Sequence, residues 1–287
     1  MAFNVQAFKT RALTAVVFVL VMLAGLLWNH WSFLALFTII HTGCWIEYRK
    51  LVCLIDPEYQ KTPKLHQYSI EYIGLGFMFL MTGETYQIGN TSLQAIGERL
   101  MLAFTGVFLI SVIVFFKKAR PKLATHSVMG FLYISLGCGL MMPLYGNMQQ
   151  EVFAGPNWLM PVILIASIWI NDTMAYVVGS FIGKTPFSPI SPKKTWEGTI
   201  GGAILAVVVI TVAGYYGFGF PVKALLLISS IAAIAGTAGD LFESKLKRLA
   251  GVKDSGNIMP GHGGFLDRFD SLLLATTATW VIFSLFY

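Results

Sequence analysis

Charged residues are scarce in this chain. Only 12% of the sequence is Asp, Glu, Lys or Arg, against roughly 25% in an average soluble domain. Together with 56% hydrophobic residues and a mean hydropathy of +0.69, this excludes an ordinary soluble globular protein. Cysteine is also thin. Cys44, Cys53 and Cys138 lie in or near apolar segments without metal-ligand spacing, so they read as small buried hydrophobes. Linkers, low-complexity tracts and repeats of about 20–50 residues are missing, and one integral membrane domain is the simplest organisation. No small-residue cleavage site follows the first apolar stretch. Trp28-Asn29-His30-Trp31 reads as an interfacial turn and not as the end of a signal peptide.

What is present is apolar sequence in lengths that cross a hydrocarbon core of about 30 Å. Such segments occur near 13–28, 32–47, 68–83, 100–117, 127–145, 158–183, 198–220, 222–243 and 268–286. The expected fold is an all-α polytopic membrane protein with about nine transmembrane helices and a cytoplasmic N-terminus. Glu71 makes 68–83 the weakest of the nine, and 158–183 is long enough for a tilted or broken span. With the N-terminus inside, 18 of the 20 Lys and Arg residues fall on the cytoplasmic side, and only Arg99 and Lys223 fall outside. The net charge of +6 therefore reads as topology and attraction to anionic membrane lipids, and no nucleic-acid partner is expected.

The two halves differ in kind. Residues 1–157 hold nearly uncharged spans and loops without recognisable chemistry, and read as a scaffold with oligomer contacts. Residues 158–287 read as the catalytic region. Asp172 lies within an apolar helix in Trp169-Ile170-Asn171-Asp172-Thr173, where a carboxylate costs several kcal/mol unless paired or hydrated. Asp240 closes an apolar stretch. If that helix continues, Asp240, Glu243 or Ser244, and Lys247 share one face. Asp267 and Asp270, three residues apart, project from one side of the first turn of the last helix. They either favour its dipole or, with a third carboxylate from Asp240 or Asp172, hold Mg²⁺.

Pro260-Gly261-His262-Gly263-Gly264 suits neither a helix nor a strand interior, and its N–H groups can form an anion cradle. His262 is either a phosphate donor and acid or a plain loop residue. In 183–198, three prolines keep the chain extended. Lys193 and Lys194 read as phosphate clamps or as positive-inside charge, and Trp196 as a stacking or headgroup residue. Carboxylates for a divalent metal, cations from two loops and a glycine-rich cradle suit phosphoryl or nucleotidyl transfer on a lipid substrate.

Ser244-Lys245-Leu246-Lys247-Arg248, Lys253-Asp254-Ser255-Gly256 and Pro260-Gly261-His262-Gly263-Gly264-Phe265-Leu266-Asp267-Arg268-Phe269-Asp270 together resemble the diagnostic pattern of the phosphatidate cytidylyltransferases, the CDP-diacylglycerol synthases. Asn171-Asp172-Thr173-x-Ala175-Tyr176 and Ile190-Ser191-Pro192-Lys193-Lys194-Thr195-Trp196-Glu197-Gly198 resemble further motifs of that family. The resemblance covers about 165–285. It implies a cell-membrane enzyme of phospholipid biosynthesis that uses CTP and phosphatidate, depends on Mg²⁺, and is described as a dimer with a second, monovalent cation such as K⁺. By residue it implies catalytic Asp267, Asp270, Lys247, Arg268 and His262. Substrate binding falls to Ser191, Lys193, Lys194, Trp196, Arg248, Lys253, Gly261, Gly263 and Gly264, and metal binding to Asp240, Asp267, Asp270 and Asp172.

Two other classes compete. An ion-coupled transporter would use Asp172 and Asp240 as proton relays but leaves the Gly-His-Gly-Gly turn unexplained. A polyprenol kinase-like CTP-dependent enzyme is the nearer rival. A CDP-alcohol phosphotransferase would need an Asp-Gly-x-x-Ala-Arg pattern that the sequence lacks.

Overall fold

A computed structural model describes residues 5–115, 121–153, 155–258 and 263–287. The architecture is helical. In chain order it comprises α1 (Val5–Leu27), α2 (His30–Ile55), α3 (Pro57–Gln60), α4 (Lys64–Leu80), a hairpin of β1 (Gln87–Ile88) and β2 (Thr91–Ser92), and α5 (Leu93–Phe115). Then come α6 (Pro121–Gly130), a π turn (Phe131–Ser135), α7 (Leu136–Tyr145), α8 (Asn147–Val152), α9 (Leu159–Ile182), and a hairpin of β3 (Pro186–Ser188) and β4 (Ser191–Thr195). The chain closes with α10 (Trp196–Phe218), α11 (Val222–Leu249) and α12 (Leu266–Phe286).

The described residues of the nine apolar segments expected from the sequence fall mainly on helix. Among the described residues six helical stretches are long and apolar enough to cross a membrane: Leu93–Val114, Leu123–Tyr145, Leu159–Ile182, Trp196–Phe218, Val222–Leu249 and Leu266–Phe286. Ala12–Leu27 is a shorter apolar helix. The chain is a helical integral membrane protein whose β-strands among the described residues form two short hairpins. Of the two forms that 158–183 allowed, tilted or broken, the continuous α9 excludes a break.

Local chemistry sets the helix ends. Asn29 and Ser32 form a reciprocal capping box at the start of α2, with distances of 2.9 and 3.0 Å. Thr195 accepts the Gly198 N–H at 3.2 Å and caps α10. Gly219, at φ 69°, closes α10 in the left-handed conformation that glycine adopts without strain.

The chain divides into two compact units, one of residues 1–139 with 246–269 and another of 140–245 with 270–287. This division differs from the expected boundary at residue 157. The charged segment 246–269 packs with the N-terminal helices because Glu47 of α2 bonds to it.

In the first unit α4 and α5 lie close because Gly76 and Gly97 face each other's backbone; a Cβ on either would collide there. Glu71, the charge that weakened its segment as a span, forms a buried ion pair with Arg49. Ser135, carried on the π turn, lies 2.9 Å from both His41 Nε2 and Trp45 Nε1. His66 links Ser111, at 2.8 Å, to Ser127, at 3.2 Å. In the second unit α9 packs on α10 through small residues. A Cβ at Gly198 or Gly202 would run into the backbone of Ala175. Gln149 ties α8 to the start of α9 by accepting the Met160 N–H at 2.9 Å.

Candidate active site

Helix α11 continues past Asp240 to Leu249, so Asp240 and Glu243 lie on one face of it, three residues apart. In the second unit they meet Asp270 of α12. One carboxylate oxygen from each of Asp240, Glu243 and Asp270 lies within 4.8 Å of the other two. Glu243 and Asp270 are buried, and Asp240 is partly exposed. The approach of α11 to α12 depends on Gly239, where a Cβ would run into the Asp270 carbonyl. One turn earlier Gly236 has room, its nearest neighbour being Ser271 Cβ at 3.5 Å.

Two carboxylates about 5 Å apart repel by roughly 3 kcal/mol at an effective dielectric of 20. Three of them in one cluster call for a proton or a cation. Lys194 supplies one cation, its ammonium forming an ion pair with Asp240. Burial pushes the Lys194 amine below the ordinary lysine range, and the charges of Asp172 and Asp270 oppose that shift. An all-oxygen donor set of this kind fits a hard divalent ion such as Mg²⁺.

The β3–β4 hairpin delivers Lys194. Pro186 and Pro192 lie in extended strands while Pro189 lies in the turn between them, so the segment expected to be one extended loop folds back into a hairpin, with Pro186 opposite Thr195 and Ser188 opposite Ser191. Glu197, in the first turn of α10, anchors the hairpin base. Its carboxylate accepts the Lys184 N–H at 3.2 Å, the Thr185 N–H at 3.1 Å and the Thr185 hydroxyl at 2.8 Å. Alternation along β4 separates the two lysines: Lys194 turns to Asp240 and Lys193 is exposed. Ser191 is half-buried; Trp196 is exposed and packs edge-on against Phe187, with ring centroids 4.5 Å apart. Asp172 accepts from Asn171 Nδ2 at 3.3 Å, and Asn171 is itself buried.

A second carboxylate centre lies in the first unit. Asp267 Oδ1 accepts from Lys247 Nζ at 2.6 Å. Its Oδ2 accepts the Ser255 N–H and the Gly264 N–H, both at 2.8 Å, and lies 2.8 Å from Ser255 Oγ. Glu47 accepts the N–H groups of Phe265 and Leu266, both at 2.9 Å, and lies 2.7 Å from the same Ser255 hydroxyl. The glycines admit these carboxylates. A Cβ at Gly264 would strike Glu47, and one at Gly263, where φ is 84°, would strike Asp267. Of the cradle expected at 260–264, the Gly264 N–H is held by Asp267, and the next two amides, of Phe265 and Leu266, are held by Glu47. Arg248, Lys253 and Arg268 are exposed. Gly261 and His262 lie outside the described residues.

The structure brings together Asp240, Glu243 and Asp270, while Asp267, which the sequence groups with Asp270, engages Lys247 and Ser255 instead. The sequence marks Glu243 only as one option on its helix face and does not single out Glu47. The signal for Glu47 was there in Cys44-Trp45-Ile46-Glu47-Tyr48: a carboxylate inside an apolar run, the same criterion that singled out Asp172.

The site gathers three carboxylates and a lysine beside a hairpin in a helical membrane protein. Residues 9–286, nearly the whole chain, match the model of the cytidylyltransferase family, and the chain belongs to that family. It is 32% identical over 267 residues to a phosphatidate cytidylyltransferase of Staphylococcus aureus (strain COL), a match covering 92% of this chain and 95% of the relative. It is 36% identical over 177 residues to a phosphatidate cytidylyltransferase of Helicobacter pylori (strain ATCC 700392 / 26695), covering 62% of each. With one of Bacillus subtilis (strain 168) it is 47% identical over 121 residues, which cover 42% of this chain and 45% of the relative. The matched region thus spans less than two thirds of the length of the last two relatives.

Proposed function

We propose that this chain is a phosphatidate cytidylyltransferase, transferring the cytidylyl group of CTP to phosphatidate to give CDP-diacylglycerol and pyrophosphate. The observation that carries this reading is the near full-length similarity to the Staphylococcus aureus phosphatidate cytidylyltransferase. The cluster of Asp240, Glu243 and Asp270 beside Lys194 supports it chemically.

In the reaction a phosphate oxygen of phosphatidate forms a bond to the α-phosphorus of CTP. The bond from that phosphorus to the β-bridging oxygen breaks, and its electron pair leaves with pyrophosphate. A phosphate monoester, with its second pKa near 6, is largely dianionic at neutral pH, so no strong general base is required. The obstacle is repulsion between two polyanions. Asp240, Glu243 and Asp270 would hold Mg²⁺, which when bound neutralises phosphate charge and polarises the phosphoryl group. Lys194 organises the cluster through Asp240. Lys193, Arg248, Lys253 and Arg268, exposed cations of the motif segments, face phosphates. Asp267 and Lys247 order the loop that precedes α12.

The same reading takes all nine apolar helices as spans of the cell membrane with the N-terminus in the cytoplasm, where CTP is found. The 18-of-20 cation bias supports it. It also carries a homodimer and a second, monovalent ion, both implied by the family resemblance. The decisive assay supplies purified protein with phosphatidate vesicles and labelled CTP, with and without Mg²⁺. Label must appear in lipid only when all three are present. In a parallel assay with polyprenol vesicles, transfer of γ-label from CTP to polyprenol, with no cytidine or α-label entering phosphatidate, would replace this reading with a kinase.

A further inference from the structure

The start of α12 is capped by a carboxylate from far away in the sequence. Glu47 Oε1 accepts the Phe265 N–H, and Oε2 accepts the Leu266 N–H, each at 2.9 Å. The Ser255 hydroxyl lies 2.7 Å from Oε2, and Glu47 is only 4% exposed. The loop is shaped around this group, since a Cβ at either Gly256 or Gly264 would collide with the Glu47 carboxylate.

We propose that Glu47 is a positioning residue for the transfer reaction, holding Ser255 and the first residues of α12 in the register at which Asp267 receives Lys247. The inference rests on the phosphatidate cytidylyltransferase reading. Three observations carry it. Packing alone does not call for a carboxylate here, because burying one costs several kcal/mol that an apolar side chain of similar volume avoids. The amides of Phe265 and Leu266 belong to a helix N-terminus, where no intrahelical acceptor exists, so Glu47 satisfies donors that the helix itself leaves open. Finally, Ser255 Oγ stands between Glu47 Oε2 at 2.7 Å and Asp267 Oδ2 at 2.8 Å. One hydroxyl proton serves two carboxylate oxygens, so the charge on Glu47 is coupled directly to Asp267.

The test uses the full chain in lipid nanodiscs, with rates normalised to folded, inserted protein. Glu47→Gln leaves one acceptor oxygen and turns the other position into a donor that faces backbone N–H or the Ser255 hydroxyl. Its kcat should fall roughly 10²-fold with both KM values within about threefold of wild type. Amide exchange at 264–266 should accelerate, while exchange in α9 and α10 stays as in wild type. Glu47→Asp keeps the charge and withdraws it by one methylene, so it should recover part of kcat and part of the protection. It also serves if the Gln variant does not accumulate. Wild-type kcat in the Gln variant, or unchanged exchange at 264–266 in both variants, overturns the proposal. A wild-type protein that transfers no cytidylyl group overturns the functional reading instead, and exchange at 264–266 still decides whether Glu47 caps α12.

Discussion

Lys247 Nζ lies 2.6 Å from Asp267 Oδ1, a short charge-assisted hydrogen bond between the last turn of α11 and the first turn of α12. Asp267 thereby acts on the loop that joins the two helices, fixing Ser255 and Gly264 by their N–H groups. One turn further along α12, Asp270 joins Asp240 and Glu243. Two carboxylates that share a helical face in the sequence thus do different work: Asp267 orders backbone, and Asp270 contributes an oxygen to an anionic cluster.

The close approach at Gly239 gives a paired test. Gly239→Ala places a methyl against the Asp270 carbonyl, and α11 and α12 must part to admit it. Activity should fall by roughly 10²-fold, because displacements near 1 Å at a reacting centre have effects of that size. Gly236→Ala, one turn away with room for a methyl, should stay within about threefold in the same assay.

Lys193 and Lys194 are neighbours in sequence with different surroundings. Lys194→Ala removes the ammonium that neutralises Asp240 and should lower kcat/KM roughly 10²-fold. Lys193→Ala removes an exposed cation and should mainly raise the KM for CTP or phosphatidate, by about threefold. Steady-state kinetics on inserted protein separates the two; equal losses in kcat would contradict the geometry.

The Arg49–Glu71 pair is structural. Removing one partner strands a buried charge, so Arg49→Met should destabilise the protein by about 3–5 kcal/mol. Arg49→Met combined with Glu71→Leu should recover most of that loss. Thermal unfolding in detergent, read by tryptophan fluorescence, reports both, and a double variant no more stable than the single one would show that the pair does more than neutralise itself.

The helices were legible because a run of apolar residues long enough to span lipid has few alternatives, and six helices of that length and composition stand among the described residues. Extended backbone in 186–195 was legible from its prolines, but the folding back of that segment into a hairpin was not, because strand pairing is set by contacts that the prolines do not specify. Which lysine turns inward depends on strand alternation, visible only once β4 exists. The face shared by Asp240 and Glu243 follows from a helix continuing past Asp240, but their meeting with Asp270 is tertiary. Glu47 lies 208 residues from Ser255, and no local pattern links them. The two-unit division was hidden for the same reason, since the long-range bonds of Glu47 draw 246–269 toward the N-terminal helices.

The most direct test of the account is Mg²⁺-dependent cytidylyl transfer by purified Asp240→Asn, Glu243→Gln and Asp270→Asn proteins, each checked for insertion and folding. Removing one oxygen ligand from a three-carboxylate site should lower turnover by roughly 10²-fold or more and move half-maximal activation to higher Mg²⁺. Near wild-type turnover and an unshifted Mg²⁺ titration in all three would contradict the assignment of this cluster as the catalytic centre.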